Sequence, residues 1–173
     1  MNRHPFDLNS QQLAIVAIGS NLGDSRKTVQ AAIDRLAELS RTPPFVSSLW
    51  RTTPVDCPPG SPSFINAAVA LAFQEGETPE SLLAKLQQLE TEFGRRPKKV
   101  LNEARPLDLD LITFGCERRS SDKLTLPHPR AYERRFVLQP LSEIAPELIL
   151  PGQEKTVAQL MAMLPPDASM RRL

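Results

Sequence analysis

Between Leu107 and Leu111 the chain alternates leucine and aspartate, residue by residue. That is the pattern of a half-buried strand, in which successive side chains point to opposite faces. Leu107, Leu109 and Leu111 predict one face turned to a core. Asp108 and Asp110 then project together from the other face, about 6.5–7 Å apart. Such a strand needs neighbours to pair with and a layer to cover its apolar side.

Candidate neighbours are easy to find. Leu13 to Ile18 is a short apolar run that stops at Gly19 and reads as a buried strand. Asp24 or Ser25 can cap a following helix, where Val29, Ala32, Ile33, Leu36 and Leu39 fall at helical spacing. Pro43-Pro44 ends it. Phe45 to Arg51 predicts a strand, Thr52 to Ser63 a proline-rich loop, and Ile65 to Phe73 a further strand that could pair back. Thr78-Pro79-Glu80 is a helix start, Leu82, Leu83, Leu86, Leu89 and Phe93 are its stripe, and Gly94 is its stop. Leu107 to Phe114 completes the order β-α-β-β-α-β. That order predicts an α+β, ferredoxin-like βαββαβ sandwich with long loops and added C-terminal helices near Val137–Ile144 and Val157–Leu164.

Bulk properties bound the function. The 173 residues suit one domain over 13–173, preceded by a polar leader over 1–12 without the apolar stretch of a signal peptide. A net charge of +1 makes no bulk case for nucleic acid or an anionic membrane, and the basic residues gather in one loop. No apolar run approaches the roughly 20 residues that span a bilayer. Cys57 and Cys116 belong to no metal-binding motif and read as incidental thiols of a reduced compartment. A cytoplasmic monomer is the expectation. Seventeen prolines against seven glycines suggest stiff, ordered loops.

Four features could carry chemistry. Asp108 and Asp110 can bracket one or two hard cations, although an exposed edge strand with a polar face would look the same. Arg95, Arg96, Lys98, Lys99 and Arg105 lie within eleven residues beside the pair, as a polyphosphate clamp or as a solvated charge run. His128, held between prolines, could donate to a phosphate while Arg134 neutralises charge, and Phe136 could stack on a planar ring; each also has a structural reading. The turn Ile18-Gly-Ser-Asn-Leu-Gly-Asp24 lacks a Walker lysine and reads as structural.

Taken in order, several stretches resemble the 6-hydroxymethyl-7,8-dihydropterin pyrophosphokinase family of folate biosynthesis. They are Ala17-Ile-Gly-Ser-Asn-Leu-Gly23, Arg51-Thr52, Phe64-Ile-Asn-Ala-Ala-Val-Ala-Leu71, Leu89-Glu90 through Gly94-Arg95, Arg105-Pro-Leu-Asp-Leu-Asp110, Leu126-Pro-His128 and Phe136-Val-Leu-Gln-Pro-Leu141. The resemblance implies transfer of pyrophosphate from ATP to the pterin hydroxymethyl group, with release of AMP. It implies that Asp108 and Asp110 hold two magnesium ions, and that they act in catalysis with Arg95 and Arg105. It assigns Thr52, Thr53, Val55, Phe64, Asn66 and Phe136 to the pterin, with the two phenylalanines sandwiching its ring. Gln87, Arg95, Arg105, Lys123, Thr125, His128 and Arg134 would serve ATP. Asn102-Glu103-Ala104 stands where the family often has Trp-Gly-Pro, and Asp56-Cys57 where small or apolar residues are usual. These departures leave open a different hydroxymethyl-pterin as acceptor, or a ligand-binding protein without turnover.

Overall fold

A computed structural model describes residues 12–173. The leader reading falls almost wholly on residues 1–11, outside the described part. Strand β1 (Leu13–Ser20) lies inside an antiparallel sheet, paired on one side with β4 (Phe64–Ala72) and on the other with β5 (Asp108–Phe114). Strands β2 (Phe45–Val46) and β3 (Trp50–Thr52) both pair with β4 on its outer side.

The expected strand over 45–51 is therefore broken in two. The register against β4 slips by one residue between Val46 and Trp50, and Ser47 fills the break. Its N–H donates to the Ala68 carbonyl, and its hydroxyl accepts from the Ala68 N–H. The sequence alternation could not reveal that bulge, because serine suits either arrangement.

Helices cover both sheet faces. Helix α1 (Ser25–Leu39) starts at Asp24, whose carboxylate accepts from the Lys27 N–H. Helix α2 (Pro79–Glu92) starts in a reciprocal Thr78–Ser81 capping box with proline in its first turn. Val29, Ile33 and Leu36 of α1 and Leu82, Leu86 and Leu89 of α2 share a core with Val16, Ile18, Val69, Leu71, Leu107, Leu109 and Leu111. The leucine face predicted between 107 and 111 is thus the buried one.

The opposite face is covered by α3 (Arg135–Ile144) and α4 (Val157–Met163), through Val137, Leu138, Leu141, Val157 and Leu160. They pack on Leu13, Ile15, Ala68, Ala70, Ala72 and Ile112. Ile112 follows Asp108 and Asp110 by alternation and packs in this second core, and the bulge in the β1–β5 pairing there turns Phe114 back to the first core. Two features went unforeseen: a small hairpin of β6 (Arg119–Ser120) and β7 (Thr125–Leu126), and a terminal strand β8 (Arg171–Arg172) on the outer edge of β3.

Candidate active site

The second sheet face is only partly core. Alternation puts Gly19 and Ala17 of β1, Phe64 and Asn66 of β4, and Asp108 and Asp110 of β5 on that face, beyond the part covered by the core. All six line a cavity of ≈ 480 Å³. Gly19 stands opposite Asn66 on one side and Asp108 on the other; Ala17 stands opposite Ala68 and Asp110. Small residues in β1 keep the floor low between an amide on one flank and two carboxylates on the other. A methyl on Gly19 would lie 3.1 Å from the Asn66 Oδ1 and 3.6 Å from the Phe64 ring, so glycine serves close approach here.

On the amide flank, the Asn66 Nδ2 donates to the Thr52 Oγ1 at 2.6 Å, and both residues are buried. That bond fixes which way the amide points. Thr53, Val55 and Phe136 complete the expected pterin set along the same cavity.

On the carboxylate flank, Arg95 Nη1 bonds Asp108 Oδ1 at 2.7 Å and Glu90 Oε1 at 2.8 Å. Burial pulls the Arg95 pKa down, but Asp108 and then Glu90 outweigh it and raise it. Glu90 also accepts from the Leu109 N–H at 2.7 Å, which fixes the start of β5. Burial holds the Glu90 carboxyl above its usual range. Arg105 Nε lies 3.9 Å from Asp108 Oδ2 and is a buried donor with no hydrogen-bond partner. Asp110 is pushed up to about 7, first by burial and then by the neighbouring charge of Asp108. A carboxylate so poorly compensated, beside a second one and an unfilled arginine donor, suits a cation together with an anionic oxygen ligand. Among the described residues no cluster of three His, Cys, Asp or Glu side chains could hold a metal, so such a cation would rest on this pair.

Each aromatic ring of the expected sandwich carries an arginine. The Arg105 guanidinium lies 5.6 Å from the Phe64 centroid and that of Arg134 lies 5.5 Å from the Phe136 centroid. His128 donates its N–H to the Ile112 carbonyl, and its Nδ1 accepts from the Arg130 N–H. Burial, then the charge of Arg134, lowers its pKa. The neutral ring then carries its proton on Nε2 and offers a donor there.

The other expected ATP residues are less gathered. Arg105 and Arg134 line the main cavity, whereas Arg95 lines an adjoining one of ≈ 190 Å³ that shares Arg105. Gln87 is exposed on α2, and Lys123 and Thr125 are exposed in and beside the β6–β7 turn; neither they nor His128 line either cavity.

Sequence reasoning passed over several residues. Buried Asn21 accepts from the Arg105 N–H with its side chain, donates its own N–H to the Arg105 carbonyl, and donates its amide to the Pro62 carbonyl. It ties the basic loop and the proline-rich loop to the end of β1. The turn that read as merely structural thus positions Arg105. Asn102 donates to the Asp56 carbonyl at 2.7 Å, so residues from two departing stretches meet over the cavity. Asp167 and Met170 also line it.

Comparisons with known proteins show the family. The family model for 7,8-dihydro-6-hydroxymethylpterin-pyrophosphokinase matches residues 15–146. The chain is 37% identical to the 2-amino-4-hydroxy-6-hydroxymethyldihydropteridine pyrophosphokinase of Pseudomonas aeruginosa over 155 residues, covering 89% of this chain and 93% of the relative. It is 37% identical to the Synechocystis protein of that name, covering 86% and 74%. Crystal structures of HPPK-DHPS share the fold: the Plasmodium falciparum wild type with SDX-DHP superposes with a TM-score of 0.67 at 13% identity, over 87% of this chain. This chain spans 44% of that longer one. The chain therefore belongs to the 7,8-dihydro-6-hydroxymethylpterin-pyrophosphokinase family.

Proposed function

We propose that this chain transfers pyrophosphate from ATP to the hydroxymethyl group of 6-hydroxymethyl-7,8-dihydropterin, releasing AMP, and that it needs magnesium to do so. The observation that carries the reading is one cavity with Asn66, Thr52 and Phe64 on one flank and Asp108 and Asp110 on the other, separated by Gly19, with Arg105 reaching from Asp108 to the Phe64 ring. The fold we read as ferredoxin-like, from the β-α-β-β-α-β order and the antiparallel sequence β5-β1-β4-β3.

The hydroxymethyl oxygen attacks the β-phosphorus of ATP. A new O–P bond forms, the bond from the β-phosphorus to the α–β bridging oxygen breaks, and AMP leaves. Little covalent work falls to the protein, so positioning and charge neutralisation dominate. Phe64 and Phe136 sandwich the ring, and the Asn66 amide reads its donor–acceptor edge. Arg95, Arg105 and Arg134 meet phosphate oxygens as forked donors, and the His128 Nε2–H adds a neutral one. Arg105 has a buried Nε still unpaired, so a phosphate oxygen there satisfies a donor that otherwise costs stability. Asp110 would assist loss of the hydroxyl proton through a bound cation or a hydrogen bond. Asp108 and Asp110 would hold two magnesium ions, which supply charge neutralisation on the triphosphate.

Product analysis tests this. With ATP, magnesium and hydroxymethyl-dihydropterin, phosphorus NMR and mass spectrometry should find a pterin pyrophosphate ester and AMP in equal amounts. ADP with a monophosphate ester would refute pyrophosphate transfer. A faster reaction with another hydroxymethyl-pterin would reassign the acceptor. Tight pterin binding without AMP would leave a ligand-binding protein.

A further inference from the structure

The family match ends at residue 146, yet Asp167 and Met170 line the main cavity. Both belong to the segment after α4, and that segment is anchored at several points. Arg135, at the start of α3, donates to the carbonyls of Leu164 at 2.9 Å and Pro165 at 3.1 Å, which fixes where the segment departs. Asp167 accepts from the Ser169 N–H, forming a tight turn. The Thr53 Oγ1 donates to the Ser169 Oγ at 2.7 Å, tying that turn to an expected pterin residue. Beyond it β8 pairs with β3, with Arg171 opposite Arg51 and Arg172 opposite Trp50. The Leu173 N–H reaches the Leu49 carbonyl, and the Arg172 Nε reaches the Ser48 Oγ.

From Pro165 to Leu173 only Met170 is withdrawn from full exposure. Extending the β8–β3 register by one residue sets it beside Thr52, which holds the Asn66 amide. Alternation puts it on the same face as Arg172, whose guanidinium turns to Glu143 of α3. Its side chain is therefore directed to the cavity side of the sheet. An unbranched, polarisable thioether suits the edge or face of a flat ring.

We propose that residues 165–173 form a fixed wall of the acceptor half of the cavity, and that Met170 is a specificity-determining residue in contact with the acceptor ring. The inference rests on the acceptor being a pterin. Its test uses the full chain. Wild type, Met170→Ala and Met170→Leu are titrated with 6-hydroxymethylpterin by fluorescence and with α,β-methylene-ATP by calorimetry. Met170→Ala should weaken pterin binding about five- to tenfold, and Met170→Leu less than about twofold. Nucleotide affinity and melting temperature should hold in both. Unchanged pterin affinity in Met170→Ala overturns the inference alone, as does an equal loss for the nucleotide. Failure of the wild type to bind the pterin overturns the functional reading and this inference with it.

Discussion

The two faces of the central sheet follow different rules. Against α1 and α2, strands β1, β4 and β5 present an apolar layer that runs from Leu109 to Leu71. Against α3 and α4, the same strands are apolar for only part of their length and then turn to Gly19, Asn66, Asp108 and Asp110. One face holds the fold, and the other gives up core to make a cavity. Because side chains alternate, a single strand such as β5 serves both, with its leucines packed and its aspartates turned to the cavity.

The comparison is broken most severely by exchanging the faces' roles. Asp108→Ala and Asp110→Ala should each cut AMP release by about a thousandfold or more while circular dichroism stays native-like. Leu111→Ala, one residue along the same strand, should cost about 2–5 kcal/mol of stability and leave the turnover of the remaining folded protein near normal. The reverse pattern would dissolve the division of labour. Arg105→Ala should lower kcat about a hundredfold with a smaller change in pterin affinity. An effect confined to pterin affinity would move Arg105 to the other half of the site.

A finer test uses pH. The Asp110 pKa rises on folding from 3.8 to about 7, so the folded chain binds the extra proton between those values. Its contribution to stability is therefore full at the acid end and is lost as pH rises across that window. Without metal, Asp110→Asn should be more stable than wild type at pH 8, by on the order of 1–3 kcal/mol, with the difference vanishing towards pH 4. Magnesium affinity of the wild type should rise from pH 6 to pH 8, because the cation displaces that proton. A pH-independent difference in melting would place Asp110 in an ordinary polar setting. The smallest effect belongs to Gly19→Ala. The Asn66 amide must yield a few tenths of an ångström, so pterin affinity should fall several-fold with little change in melting.

Local signals carried much of this. Period-two alternation gave β5 and its two faces, and capping chemistry gave the starts of α1 and α2. The pterin set Thr52, Thr53, Val55, Phe64, Asn66 and Phe136 came from resemblance, and all six line one cavity. What stayed hidden depends on pairing between distant residues. The bulge at Ser47, the Asn21 clamp on Arg105, the Glu90–Arg95–Asp108 chain and β8 are each made by contacts across the fold. A serine, an asparagine or a two-residue strand leaves no periodic mark, so its partner can be known only from the folded chain.

The central claim is that the carboxylate flank and the amide flank serve one reaction. AMP release from ATP, measured against magnesium concentration with and without hydroxymethyl-dihydropterin, tests it most directly. The account predicts release that needs both the pterin and magnesium and that disappears in Asp110→Ala. Release that persists without magnesium, or in Asp110→Ala at near wild-type rate, would contradict it.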